Sequence, residues 1–322
     1  MNIPQNNVFI ETKELSKHFN LGHGNILHAV DKVSIQIANG ETLGLVGESG
    51  CGKSTLGRVL ARMYEQTSGS YQLRGTEVPN KLSFGERKKF AREVQMIFQD
   101  PFASLNPRMT VGDIVSEGPD IQGLWRASEK RDRINYWLNR VGLRPEHAAR
   151  FPHEFSGGQK QRIGIARALA IEPRFIVCDE PISALDVSIQ AQVVNLLQEL
   201  QNEFRLTYLF IAHGLHMVRY ISDRMAVMYL GNVVELGSSK DVFENPLHPY
   251  SAALISANPY PDPEKERTRK HQLLSGEITS PVNPKPGCRF AARCPLAQER
   301  CRAETPVLRE VETNRFVACH LR

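Results

Sequence analysis

The chain has 322 residues, with 40 Lys and Arg against 35 Asp and Glu for a formal charge of +5. At roughly 100–200 residues per domain this makes about two domains, and an apolar content of 41% excludes disorder throughout. No run approaches the roughly 18 uninterrupted apolar residues of a membrane helix, Met1 to Glu11 lacks a basic start followed by an apolar block, and the basic residues are interleaved with acids rather than gathered on one face. The expectation is a soluble, cytosolic chain that does not bind nucleic acid.

Taken in chain order, four short apolar runs stand out: Leu43 to Val46, Val94 to Phe98, Phe175 to Cys178 and Tyr208 to Ala212. None alternates polar with apolar, so each is predicted to be a strand buried on both faces, as in a parallel sheet between helices. Each run is followed by a glycine or polar residue, Gly47, Gln99, Asp179 or His213, and ligands of open α/β sheets sit at the carboxyl ends of the strands. Thr110 to Arg150 carries helix formers with apolar positions at Ile114, Leu124, Ile134, Trp137, Leu138 and Val141, and reads as a helical insertion. Val193, Leu196, Leu197, Leu200 and Phe204 form a helical apolar stripe. Beyond Glu244 the texture changes, and the Pro- and Asn-rich stretches 258–263 and 279–287 read as linker or irregular structure.

The first run opens into Gly47-Glu48-Ser49-Gly50-Cys51-Gly52-Lys53-Ser54-Thr55, which fits the P-loop pattern G-x-x-x-x-G-K-[ST]. Glycines let successive backbone N–H groups turn inward on phosphates, and the helix beginning near Lys53 adds roughly half a positive charge. Lys53 would reach the β- and γ-phosphates of ATP, and the Ser54 hydroxyl would ligate Mg²⁺. The third run ends in Asp179-Glu180, the Walker B arrangement, in which Asp179 holds Mg²⁺ through water. Glu180 would take a proton from the attacking water; the plainer alternative is a helix-start carboxylate before Pro181.

Two further strings carry a family resemblance. Phe155-Ser156-Gly157-Gly158-Gln159-Lys160-Gln161-Arg162 resembles the signature of ATP-binding cassette (ABC) ATPases, and Ser183-Ala184-Leu185-Asp186 resembles their D-loop. Gln99, the signature, Walker B, the D-loop and His213 follow one another in the family's order across roughly residues 8–240. The resemblance implies a head-to-tail dimer, in which Ser156, Gly157, Gly158 and Gln159 clamp the γ-phosphate held by another subunit. It also implies that His213 contacts that phosphate, that Gln99 senses Mg²⁺, and that Phe19 stacks on adenine; ordinary packing is the alternative for Phe19, and a core histidine for His213. The fold so implied is an α/β P-loop cassette with a mostly parallel core sheet, an antiparallel β subdomain and a helical signature subdomain. One departure is Gly214, where the family has aspartate after the switch histidine; its extra conformational freedom is expected to slow or loosen the coupling of turnover.

Outside the shared motifs, Phe98 to Arg108, Val187 to Val193 and Asn245-Pro246-Leu247-His248-Pro249-Tyr250 resemble the importer branch for oligopeptides, dipeptides and nickel, and Gly47 to Arg58 is closer to its F-type subunit. This implies a D-type ATPase as heterodimer partner, two permeases, an external binding protein, and a peripheral place on the cytoplasmic face of the cell membrane. Nickel, opines or oligosaccharides as cargo, and a soluble ATPase of DNA repair or translation, are the alternatives. The expected organisation is a nucleotide-binding domain over 1–245, with a helical insertion at about 100–165, and an extension over 246–322. In that extension Cys288, Cys294, Cys301 and Cys319 are separated by five, six and seventeen residues, without the tight pair usual for structural zinc. The segment resembles extensions that carry a [4Fe–4S] cluster, for which four cysteines suffice; zinc or four free thiols are the alternatives.

Overall fold

The computed structural model describes residues 3–4, 7–257 and 279–322; the stretch 258–263 read above as linker lies outside the described residues. The chain divides into two units, Met1–Asn80 with Phe210–Arg322, and Lys81–Leu209. The first is therefore built from both ends of the sequence.

Unit one opens with β1 (Val8–Gly22), β2 (Asn25–Val33), β3 (Gln36–Ala38), β4 (Thr42–Val46), α1 (Lys53–Leu60), β5 (Ser68–Leu73) and β6 (Thr76–Glu77). Strands β1, β2, β3, β5 and β6 make a five-stranded antiparallel sheet. At 15 residues β1 serves three partners, because register shifts near Lys13 and Leu15 bend and twist it, as bulges do.

Unit two holds α2 (Phe84–Glu93), β7 (Val94–Ile97), α3 (Val111–Gln122), α4 (Lys130–Arg140), α5 (Gly157–Leu169), β8 (Phe175–Asp179), α6 (Val187–Phe204) and the start of β9 (Thr207–Ile211). The stretch read as a helical insertion thus carries α3 and α4. Strands β7 and β8 pair in parallel from Val94↔Phe175 to Ile97↔Cys178, so both end at one edge and deliver Gln99 and Glu180 to the same place. The predicted stripe on α6 is buried at Val193, Leu196, Leu197 and Leu200, and Phe204 closes it against Trp137 at 5.5 Å between ring centroids.

The chain re-enters unit one through β9 and continues with α7 (Leu215–Ile221), β10 (Arg224–Tyr229), β11 (Asn232–Ser238), α8 (Ser239–Glu244), α9 (Pro249–Ser256), a short helix at Glu299–Ala303, β12 (Arg309–Glu312) and β13 (Arg315–Val317). Strand β10 pairs in parallel with β4 and antiparallel with β11. Strand β13 then adds to β11 and β12 to β13, both antiparallel. All four predicted runs are strands, and their side chains are almost wholly buried, which is why none of them alternates.

Candidate nucleotide site and cysteine module

The P-loop leaves β4 between two close backbone approaches. A Cβ at Gly47 (φ 153°) would meet the Met228 carbonyl at 2.2 Å, and one at Gly52 (φ 109°) the Ala29 carbonyl at 2.0 Å, so only glycine fits. Gly52 is the N-cap of α1 and no side chain caps that helix. Lys53 is 4% exposed, and its ammonium donates to the carbonyls of Gly47 (2.9 Å) and Glu48 (3.0 Å). A buried ammonium requires such partners, and phosphate oxygens are of the same kind. Cys51 lies 3.8 Å from the Lys53 amine, yet burial raises its thiol pKa.

Glu48 ties this loop to the far end of the chain. Its N–H donates to the Tyr250 hydroxyl at 2.9 Å, and its carboxylate accepts both Arg293 nitrogens at 2.8 and 3.0 Å. The Arg293 guanidinium also donates to the Tyr229 hydroxyl at 3.4 Å. Phe290 fills the space among Tyr229, Tyr250 and His248 at centroid distances of 5.3, 5.4 and 5.8 Å.

Phe19, on β1, packs edge-on against Tyr64 at 5.5 Å under the Lys17 ammonium at 4.9 Å. His213 is exposed just beyond β9, and Gly214 caps α7 at φ −76°, a conformation any residue adopts. These residues and the P-loop belong to unit one.

Unit two holds Gln99, the signature, Asp179, Glu180 and Asp186. Of these the fold brings Gln99 and Glu180 together: the Gln99 amide donates to the Glu180 carboxylate at 2.6 Å. Asp179 and Glu180 are 1% and 5% exposed. Glu180 sits at φ 47°, a left-handed conformation that costs a non-glycine residue about 1–3 kcal/mol and concentrates at functional sites. Ser183 donates to the Glu180 carbonyl at 3.1 Å, steadying the turn into α6, whose N-cap is Asp186. Ser156 caps α5 through a reciprocal pair with Gln159, at 3.4 Å from the Gln159 N–H and 3.1 Å back from its own. This leaves Gly157 and Gly158 at the helix start.

The four C-terminal cysteines are unbridged and belong to unit one. The Cys288 N–H donates to the Cys301 carbonyl at 2.7 Å, and the Cys288 thiol is pushed up to about 11, first by burial and also by Cys301, Cys319 and Cys294. Among the described residues, a trio of His, Cys, Asp or Glu ligand atoms within 4.8 Å of one another is His18, His28 and Asp31. The His18–His28–Asp31 group went unnoticed in the sequence; Arg289 is already paired with Asp31 there and supplies its positive charge.

Sequence reasoning also missed Arg293, Arg289 and Arg315. Buried Glu235 accepts Arg315 (3.1 Å) and the N–H groups of Leu247 and His248 (both 2.9 Å), which anchors the Asn245 to Tyr250 motif. The available signal was two arginines beside cysteines, Arg289 and Arg293, in a segment that otherwise reads as a ligand loop.

Fold and motifs define an ATP-binding cassette ATPase. A solved post-hydrolysis dimer of the cassette MJ0796 bound to ADP and phosphate is 28% identical over 71% of this chain and 98% of that one, with a TM-score of 0.65. The cassette cbiO1 from Clostridium perfringens gives 27% over 74% and 92%, with a TM-score of 0.66. Residues 30–183 match the ABC transporter family model, and residues 234–301 that of the oligopeptide/dipeptide transporter C-terminal region. The oligopeptide transport ATP-binding protein OppF of Bacillus subtilis is 57% identical over 86% of this chain and 94% of its own length. OppF of Salmonella typhimurium is 50% identical over 95% and 94%, and AppF of B. subtilis 48% over 97% of both. The chain belongs to the family of oligopeptide transport ATP-binding proteins. The soluble repair or translation alternative falls away, because the likeness runs through the C-terminal region.

Proposed function

We propose that this chain is the ATP-hydrolysing, F-type subunit of an oligopeptide importer, acting at the cytoplasmic face of the cell membrane. Its partners in this reading are a D-type ATPase, two permeases and an external binding protein. The observation that carries the reading is one chain that joins a cassette to an oligopeptide/dipeptide transporter C-terminal region. Residues 1–245 form the nucleotide-binding domain and 246–322 the extension. Among the described residues no helix is long and apolar enough to cross a membrane, which accords with work done through membrane partners.

Within this reading the P-loop amides and Lys53 bind the phosphates, and Phe19 offers its ring to adenine. Ser54, Asp179 and Gln99 present the hard oxygen donors that Mg²⁺ takes; the ion, when bound, neutralises phosphate charge. Glu180 accepts the proton of the attacking water, a role typically worth 10²–10⁴-fold, and the Gln99 amide aims its carboxylate. His213 holds the γ-phosphate, while Ser156, Gly157 and Gly158 serve the nucleotide of the partner ATPase. Asp186 belongs to the D-loop beside them.

The test is reconstitution of the chain with its membrane partners in vesicles. ATP hydrolysis should rise with an oligopeptide and its binding protein, and labelled peptide should accumulate. Stimulation by nickel or an oligosaccharide instead would contradict the cargo, and no stimulation would contradict the importer.

For the tail, Cys288, Cys294, Cys301 and Cys319 are the residues that would hold a [4Fe–4S] cluster, a donor set of four thiols that suits it. Such a group would supply a structural staple or one-electron chemistry. About four irons and four sulfides per chain after oxygen-free purification are expected; zinc, or no metal, would overturn this assignment alone.

A further inference from the structure

We infer that the C-terminal extension is part of the ATP site: Arg293 neutralises the Glu48 carboxylate at the P-loop, and Tyr250 fixes the Glu48 backbone, so both are positioning residues for phosphate binding. The inference rests on the nucleotide-binding role proposed above and deepens it.

Glu48 is the residue through which three parts of unit one meet. Its carbonyl accepts the Lys53 ammonium at 3.0 Å, its N–H is taken by Tyr250 at 2.9 Å, and its carboxylate by the fork of Arg293 at 2.8 and 3.0 Å. A carboxylate at this point acts against the loop's purpose, because it repels the phosphates of ATP. A bidentate guanidinium is the strongest neutralising partner a side chain offers, and Arg293 is 8% exposed against 24% for Glu48, so solvent screens the pair little. Arg293 is held in turn by the Tyr229 hydroxyl. Tyr229 ends β10, which runs parallel to β4, so the strand beside the P-loop strand carries the support for the clamp.

Charge and backbone placement predict different signatures. An uncompensated unit charge within about 10 Å at an effective dielectric near 20 changes affinity roughly tenfold, and it acts more on ATP than on ADP, because ATP carries more charge. Loss of the Tyr250 hydroxyl moves no charge and weakens ATP and ADP alike.

The experiment measures ATP and ADP dissociation constants by titration of the full chain. Arg293→Ala is expected to weaken ATP roughly tenfold and ADP less; adding Glu48→Gln to Arg293→Ala is expected to restore ATP affinity, because the charge to be neutralised is gone. Arg293→Lys, which keeps the positive charge, should retain most of the ATP preference, and it decides the matter if Arg293→Ala does not fold. Tyr250→Phe should lower both affinities by similar factors. A double variant as weak as Arg293→Ala, equal losses of ATP and ADP in Arg293→Ala, or unchanged ATP affinity would each overturn the inference. Absence of ATP binding by the unaltered chain would instead overturn the nucleotide-binding role itself.

Discussion

The P-loop and the cysteine-bearing tail lie in the same unit, yet they are built in opposite ways. The P-loop is local: nine consecutive residues carry the glycines, the lysine and the hydroxyls, and its internal bonds span two to six positions. The tail is held from a distance, through Arg293 to Glu48 across 245 positions and Arg315 to Glu235 across 80. Function concentrated in a loop survives small changes of scaffold. A module fixed by a few buried ion pairs depends on each of them, because a buried charge that loses its partner is worse than no charge.

That contrast breaks first at Glu235, which is fully buried. Arg315→Ala should cost about 3–5 kcal/mol in chemical denaturation, whereas Arg300→Ala, from a pair more than half exposed, should leave the denaturation midpoint nearly unchanged. Equal losses would mean that the tail is not latched at Glu235.

His248 sharpens it further. Its Nδ1 accepts the Tyr250 N–H at 3.0 Å, and burial pushes its pKa down to about 4, although a hydrogen bond to the Ala318 backbone raises it. The folded state keeps this imidazole neutral while the unfolded chain protonates it near 6.5. Its stabilisation is therefore complete above pH 6.5 and is lost as pH falls toward 4, by about 3 kcal/mol. His248→Asn keeps a capping acceptor and should flatten that slope in denaturation measured between pH 7 and 4; an unchanged slope would assign it elsewhere.

Lys53→Ala is the matching test on the local side. It should weaken ATP by about a hundredfold, the loss of a charge-assisted bond worth roughly 1.5–3 kcal/mol, and leave the thermal stability of the tail unchanged. A tail that melts earlier in this variant would erase the separation between the two regions. The smallest effect belongs to Gly214→Asp. An added Cβ would meet nothing nearer than Met217 at 3.8 Å, and aspartate is a better N-cap than glycine by a few tenths of a kcal/mol. A small rise in melting temperature is expected, and a fall would show that Gly214 is required by its backbone.

Much of the fold was legible because parallel strands buried on both faces leave unbroken apolar runs, as in Leu43 to Val46 and Phe175 to Cys178. The long bent strand β1 was not, since Val8 to Gly22 mixes charged and apolar residues around several register shifts. The nucleotide motifs were legible because their chemistry dictates spacing. The Gln99 to Glu180 bond became visible only through the Ile97↔Cys178 register. The ligatures of the tail were hidden because arginine and glutamate are common on every surface, and only three-dimensional burial separates Arg293 from Arg300.

The central claim, that this cassette hydrolyses ATP through the carboxylate of Glu180, is tested most directly by Glu180→Gln under single-turnover conditions with ATP and Mg²⁺. Glutamine keeps the size and the hydrogen bond with Gln99 and cannot take a proton. The expected result is retained ATP binding with hydrolysis slowed by about 10²–10⁴-fold. Hydrolysis at the unaltered rate would contradict the claim and move the proton acceptor to another residue.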